Sequence, residues 1–215
     1  MGWSGDTLLE MADGEAIRVH NLKRGVFLRD ESGLSVRVEC VVVTTRAHRK
    51  RLHDERIVAF DYAKHMSTGA CISDFRESHR PTARGHPWNP VHIPGRSGSG
   101  CWMYLREASA STEETPMDTE TYDLILDKSH RGRLVSVFGN VCIPTLGHNR
   151  RDNVVMHPYF GTRAVIDDLE KMPGYQADGR VVLREEQYER TQDITNIVCG
   201  IRNPDQSLSD ACNVQ

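Results

Sequence analysis

Short runs of alternating apolar and polar residues, separated by turn signals, dominate the first part of the chain. Residues 7–11 and 16–19 flank Asp13-Gly14, a pair that predicts a two-residue hairpin turn because glycine accepts positive φ. Residues 26–29 follow as another strand candidate. Residues 35–43 alternate at first and then become continuously apolar, so we expect this strand to enter the core.

The same pattern of short strands continues until about residue 150, where the character of the chain changes. Beyond that point, Thr162 is a candidate helix N-cap, Val165, Leu169 and Met172 share one helical face, and Pro173-Gly174 is a stop signal. Residues 181–201 read as a strand followed by a helix. We therefore expect a mainly β domain over 1–150, a helical or mixed extension packed on it over 151–201, and a flexible tail over 202–215.

Composition narrows the function classes. The 215-residue chain has a net charge of −3, which gives no general attraction to nucleic acid or anionic membranes. It has no apolar run of about 18–20 residues and no signal-peptide pattern, so we expect a cytoplasmic protein with no membrane or nucleic-acid partner. The basic run at 44–56 favours a solvated surface, with a basic contact patch as the alternative.

The cysteines and histidines show no metal-binding spacing, and we expect no metal and no cofactor. The six cysteines are scattered without a CxxC pair. Cys40, Cys101 and Cys142 are candidate nucleophiles of an unrelated β-rich enzyme, but all three lie in strand-like runs where buried, inert thiols are expected.

Four blocks carry the candidate chemistry: GWSGDTLLEMADG near the start, TARGH at 82–86, TYDLILDKSH at 121–130 and TLGHN at 145–149. Self-cleavage of a chain needs a thiol or hydroxyl to attack the preceding carbonyl. It also needs a histidine or carboxylate to move protons to and from the scissile peptide. An asparagine beside a histidine can release a chain by attacking its own carbonyl.

These blocks resemble the two ends of a Hint (hedgehog/intein) self-processing domain. With DNVVMHPYFGTRAVIDDLEKMPG at 152–174, they are most similar to its Vint type, which accompanies von Willebrand factor A-type domains. The resemblance implies a horseshoe of short antiparallel strands and an N–S or N–O acyl shift, leading to autoproteolysis or splicing. It places the nucleophile at Gly2. The acid, base and cyclising positions that it implies are Thr82, His86, Asp123, His130, His148 and Asn149.

The chain departs from that family pattern in four places, one of which is Val26, where the family commonly has aspartate after glycine. Gly2 has no nucleophilic side chain, and Ser4 and Thr7 are the nearby hydroxyls that could replace one. The spacing between Thr82 and His86 is one residue too long. Asn149 occupies a position where the Vint type usually has glycine.

Two functions therefore stay open. One is a self-processing domain, impaired at Gly2, that acts on its own flanking peptide segments. The other is a catalytically inactive Hint module that serves as an architectural unit or binds other proteins.

Overall fold

We describe the fold from a computed structural model of the chain. The structure describes residues 2–45, 56–60, 83–86, 88–93, 100–108, 115–116, 120–137, 141–184, 187–190 and 199–201. Most of the basic run at 44–56 and the whole tail at 202–215 lie outside these residues.

Strands make up most of the regular structure, which confirms the predicted mainly β class. The strands are β1 (Trp3–Ser4), β2 (Leu8–Glu10), β3 (Ala16–Arg18), β4 (Phe27–Arg29), β5 (Ser35–Thr45), β6 (Arg56–Phe60), β7 (Ala83–Gly85), β8 (Pro90–Ile93), β9 (Cys101–Tyr104), β10 (Thr115–Pro116), β11 (Glu120–Leu126), β12 (Val135–Val137), β13 (Val141–Ile143), β14 (Arg180–Arg184), β15 (Tyr188–Arg190) and β16 (Cys199–Ile201). The helices are α1 (Leu105–Ala108), α2 (Arg163–Leu169) and α3 (Pro173–Ala177), and 3₁₀ turns span Val19–Asn21 and Lys128–His130.

The larger sheet has the strand order β10-β6-β7-β1-β11-β5-β14, with β4 also paired to β5. The pairs within it are antiparallel except for β14, which runs parallel to β5. The strand at the very start of the chain, β1, lies between β7 and β11, although roughly 80 and 120 residues separate it from them in sequence. This placement brings the chain start into the middle of the sheet.

The second sheet has the order β3-β2-β12-β13-β8-β9. Its opening hairpin has a longer loop than predicted. Met11 and Glu15 still pair through a 2.8 Å hydrogen bond, so three residues form the turn. Gly14 has φ +89° at its end, as expected of a type I turn closed by a left-handed residue. The two-residue turn was therefore wrong in length but right in position.

Strand β5 enters the core, as its continuous apolar run predicted, and lies between two hydrophobic clusters. Val41 and Val43 pack into the core shared by the two sheets. Cys40 and Val42 point to the opposite face and pack against the C-terminal extension. Both faces of this strand are buried because each is covered by a different part of the chain.

The C-terminal extension contributes helices α2 and α3 and strand β14 to the core that contains Cys40 and Val42. Thr162 is the N-cap of α2, as predicted, and its side chain accepts a hydrogen bond from the Ala164 N–H. Helix α2 ends at Leu169, before the predicted stop at Pro173-Gly174. Pro173 then occupies the first turn of α3, where its missing N–H costs nothing. The strand predicted at the start of residues 181–201 is confirmed as β14, whereas the described residues after it form β15 and β16 rather than the predicted helix. Residues 185–186 and 191–198 lie outside the described residues.

Candidate functional site

Residue 2 directly precedes β1, the strand that lies between β7 and β11. Trp3 pairs with Gly85 on β7 and with Tyr122 on β11, both antiparallel. His86 directly follows Gly85 and Asp123 directly follows Tyr122 in the chain. The position where the family resemblance places a nucleophile is therefore next to the strand pairs from which two acid/base candidates extend.

Gly2 itself has a backbone conformation and surroundings that suit glycine. Its φ is +144°, a backbone angle that residues other than glycine rarely adopt. A Cβ added there would lie 2.5 Å from Oγ1 and 2.6 Å from Cβ of Thr121, and 3.6 Å from Oδ2 of Asp123. A side chain at residue 2 would thus reach the Asp123 carboxyl group, but Thr121 or the chain start would first have to move.

A small cavity lies beside this chain start, with room for about one water molecule. Its polar lining comes from Asn89, Asp123, Thr145 and His148, and its apolar lining includes Trp3 and Phe160. Two of the predicted site residues, Asp123 and His148, therefore share one cavity although they lie in different motifs of the sequence.

Asp123 is in the middle of β11, where its backbone pairs with Val42 of β5. Burial raises the pKa of its carboxyl group above the usual range because a charged carboxylate loses hydration there. A carboxyl group with a raised pKa can hold or release a proton closer to neutral pH, which suits an acid/base role.

His148 is 6% exposed, and its ring is held by one backbone hydrogen bond. The Arg150 N–H donates to Nδ1 at 3.0 Å, so the neutral ring carries its proton on Nε2. Burial, and then the positive charge of Arg150, lower the pKa of His148 to about 4. At neutral pH this residue is therefore an uncharged hydrogen-bond donor.

Residues of the C-terminal extension form the wall behind His148. The N–H groups of Gly147 and Asn149 donate to the carbonyl oxygens of Phe160 and Gly161, at 2.9 and 2.7 Å. A Cβ on Gly161 would lie 3.1 Å from Cε1 of His148, so a larger residue there would press on the ring. The site thus depends on residues beyond the predicted boundary at 150.

Asn89 is a site residue that the sequence interpretation missed, because Trp88-Asn89-Pro90 reads as an ordinary turn. Its side chain is buried, and Nδ2 donates a 2.7 Å hydrogen bond to the carbonyl oxygen of Gly2. Its position three residues after His86 is the one sequence signal that could have indicated it. The hydrogen bond joins the turn after β7 to the chain start across 87 residues of sequence.

The other predicted residues are more dispersed. His86 is partly buried directly after β7, and its Nδ1 accepts a long 3.4 Å hydrogen bond from the Trp88 N–H. His130 lies in the 3₁₀ turn beyond the end of β11, 3.3 Å from Ser129 Oγ, and does not line the cavity. Asn149 is exposed with φ +54°. Thr82 lies outside the described residues.

The alternative nucleophiles are poorly placed for attack. Thr7 is fully buried, and its hydroxyl donates to the Arg84 carbonyl at 2.8 Å and accepts from the Arg84 N–H at 3.1 Å. Burial raises the pKa of both the Cys40 and the Cys142 thiol to about 12, so neither forms a thiolate at neutral pH. The expectation of burial is wrong for Cys101, which is exposed at the start of β9.

The described part of the chain contains neither a metal-binding cluster nor a membrane-spanning helix. No group of three or more histidine, cysteine, aspartate or glutamate side chains in this part of the chain is placed to hold a metal ion. No helix there is long and apolar enough to cross a membrane.

Comparison with known proteins gives one match. A sequence model of Vint, described as a Hint domain, matches residues 84–200, which is more than half of the chain. The matched range contains His86, Asn89, Asp123 and His148 but begins after Gly2. No curated protein matches the chain.

Proposed function

Because the chain belongs to the Vint family of Hint domains, we propose that it is a self-processing domain whose first step is blocked by Gly2. The observation that supports this most is the position of residue 2. It directly precedes β1, which pairs with β7 and β11, and a side chain there would reach the Asp123 carboxyl group. The substrate is the chain's own peptide segment joined ahead of residue 2.

The acyl shift at such a junction has a defined proton balance. A thiol or hydroxyl at residue 2 loses its proton and attacks the carbonyl carbon of residue 1. A C–S or C–O bond forms, the C–N bond breaks, and the nitrogen of residue 2 takes up a proton to become an amine. Water then attacks the new ester or thioester, which frees the carboxylate of residue 1 and regenerates the nucleophile.

We assign the proton acceptor in this reaction to Asp123 and a hydrogen-bond donor to His148. Asp123 is the carboxyl group nearest to where a residue 2 side chain would point. His148, neutral with its proton on Nε2, shares the cavity and can donate to an oxygen on which negative charge develops. To His86, which directly follows β7, we assign the protonation of the departing nitrogen.

With glycine at residue 2, the chain lacks the nucleophilic side chain that would begin the acyl shift. No thiol or hydroxyl is present to attack, and Thr121 occupies the space beside the α-carbon. In this chain we therefore expect the acid/base set to stay in place without cleaving the junction.

One observation favours the second function, an inactive module that acts as an architectural or protein-binding unit. The close approach of Thr121 to Gly2 means that the chain start packs well without a side chain at residue 2. Both functions predict that the Gly2 form does not cleave. They differ in whether Gly2→Cys restores release of a peptide fused ahead of residue 2, which intact mass measurement decides.

A further inference from the structure

One buried polar atom beside the chain start has no hydrogen-bond partner among the described residues. Asn89 is 1% exposed, and while its Nδ2 donates to the carbonyl oxygen of Gly2, its Oδ1 accepts nothing. A buried amide oxygen without a donor is unfavourable, because it has lost its hydration and gained nothing in return. The atom therefore indicates a missing donor.

The backbone around Asn89 holds its side chain in place. The Asn89 N–H donates to the His86 carbonyl at 2.9 Å, and its carbonyl accepts from the Leu105 N–H at 2.8 Å. A Cβ on Gly85 would lie 2.6 Å from Asn89 Nδ2, so glycine at residue 85 gives the carboxamide its room. The side chain is thus positioned by two backbone contacts and one close approach, independently of the hydrogen bond to Gly2.

Neither strand beside β1 offers a regular pairing position for a peptide joined ahead of Gly2. Beyond Asp123, the Leu146 N–H already donates to the Leu124 carbonyl at 2.8 Å. On the other side, the chain turns away from β7 between His86 and Asn89. We therefore expect such a peptide to leave the sheet next to the cavity that Asn89 and His148 line.

We propose that Asn89 is a positioning residue that forms hydrogen bonds with the backbone on both sides of the scissile junction. Its Nδ2 holds the carbonyl oxygen of Gly2, and its Oδ1 accepts an N–H from the segment that precedes Gly2. The ligand is polypeptide backbone, so recognition does not depend on the side chains of that segment. This inference rests on the proposed function, since it names how the same site holds its own flanking peptide.

The test uses the full chain with Gly2 retained and a ten-residue peptide of mixed sequence fused ahead of it, so that no cleavage is required. Hydrogen exchange of each amide in the fused peptide is followed by NMR at neutral pH. We expect one amide just ahead of Gly2 to exchange at least about 10-fold more slowly than in the free peptide, because it is hydrogen-bonded. That protection is lost in Asn89→Ala and kept in Asn21→Ala, which changes an exposed asparagine.

Two further measurements keep the test decisive. If Asn89→Ala does not fold, as judged by exchange of the Leu124 amide, Asn89→Asp replaces it, since aspartate keeps an acceptor oxygen but loses the donor. Protection ahead of Gly2 should then persist. A scalar coupling across the hydrogen bond, between that amide nitrogen and Asn89 Cγ, needs no variant at all.

The proposal is overturned if all amides ahead of Gly2 exchange at free-peptide rates in the Asn89 protein, or if their protection survives Asn89→Ala in a folded chain. Either result leaves the proposed acyl-shift chemistry untouched. Conversely, a Gly2→Cys chain that fails to cleave counts against that chemistry and does not affect the exchange result.

Discussion

A Cβ at residue 2, directly before β1, would lie 3.6 Å from Oδ2 of Asp123 on β11. The start of the chain is thus next to a strand that lies about 120 residues later in sequence. The site keeps a partly buried carboxyl group at Asp123, but Gly2 has no side chain that could give it a proton.

The role of Asp123 can be tested in a chain that carries Gly2→Cys and a peptide fused ahead of residue 2. We expect Asp123→Asn to slow release of that peptide by about 100-fold or more, because the amide cannot take the thiol proton. Release rates are followed by intact mass. The matched control is Asp13→Asn, an exposed aspartate in the first turn, which should leave the rate unchanged. Equal rates for the two variants would remove Asp123 from the mechanism.

Thr121 should limit how well any residue other than glycine fits at residue 2. Its Oγ1 and Cβ both lie within 2.6 Å of where a Cβ would be placed. Replacing it by glycine removes both atoms, so Thr121→Gly should increase peptide release from the Gly2→Cys chain. Because glycine weakens a strand, the free energy of unfolding should also fall by roughly 1 kcal/mol. If release is unchanged in a folded Thr121→Gly chain, the contact does not restrict residue 2.

The lowered pKa of His148 makes a prediction about stability and pH. The folded protein lowers the pKa of His148 to about 4 and holds it neutral above that pH, whereas the unfolded chain protonates it near the usual histidine pKa of 6.5. Protonation therefore favours the unfolded state as pH falls from about 6.5 to 4, and the free energy of unfolding should drop by roughly 3 kcal/mol over that window.

The contribution of His148 is isolated by comparison with His148→Asn, whose side-chain oxygen can still accept from the Arg150 N–H. Asp123, with its raised pKa, acts in the opposite direction, losing stability as pH rises through its folded-state pKa, but it is present in both proteins and cancels. Urea unfolding between pH 4 and 7.5 should show a steeper loss for the wild-type chain on acidification. Parallel curves would mean that His148 titrates normally in the folded protein.

The C-terminal extension should be required for folding of the β domain. Cys40, Val42 and Ile125 of the sheet are fully buried against it, and α2 and β14 supply much of that core. A chain ending at residue 150 exposes this apolar face, so we expect loss of cooperative unfolding in calorimetry. A chain ending at residue 201 serves as the control and should unfold cooperatively, in line with the predicted flexible tail. A cooperative transition in the shorter chain would establish the predicted boundary at 150 as a true domain boundary.

Much of the fold follows from local patterns in the sequence. The alternation in residues 35–43, the Thr162 cap and the strand at 26–29 all correspond to elements of the structure, because each depends on neighbours within a few residues. The family resemblance also identified Asp123 and His148, which do share a cavity.

The rest of the site depends on contacts between distant parts of the chain, which one sequence does not display. Asn89 reaches Gly2 across 87 residues, and Gly161 backs His148 from a segment that reads as a separate extension. The fit of Thr121 to Gly2 is a matter of packing in three dimensions. A residue can also belong to a sequence motif without reaching the site. His130 is in the same motif as Asp123 but does not line the cavity.

The most direct test of the account compares Gly2 with Gly2→Cys in chains that carry the same ten-residue peptide ahead of residue 2. Both are purified folded and incubated with a small thiol, which captures any thioester formed. Intact mass should show the Gly2 chain unchanged and the Gly2→Cys chain releasing its peptide as the thiol adduct. Release from the Gly2 chain at that junction, or a folded Gly2→Cys/Thr121→Gly chain that stays intact, would contradict the claim that a competent acid/base site lacks only its nucleophile.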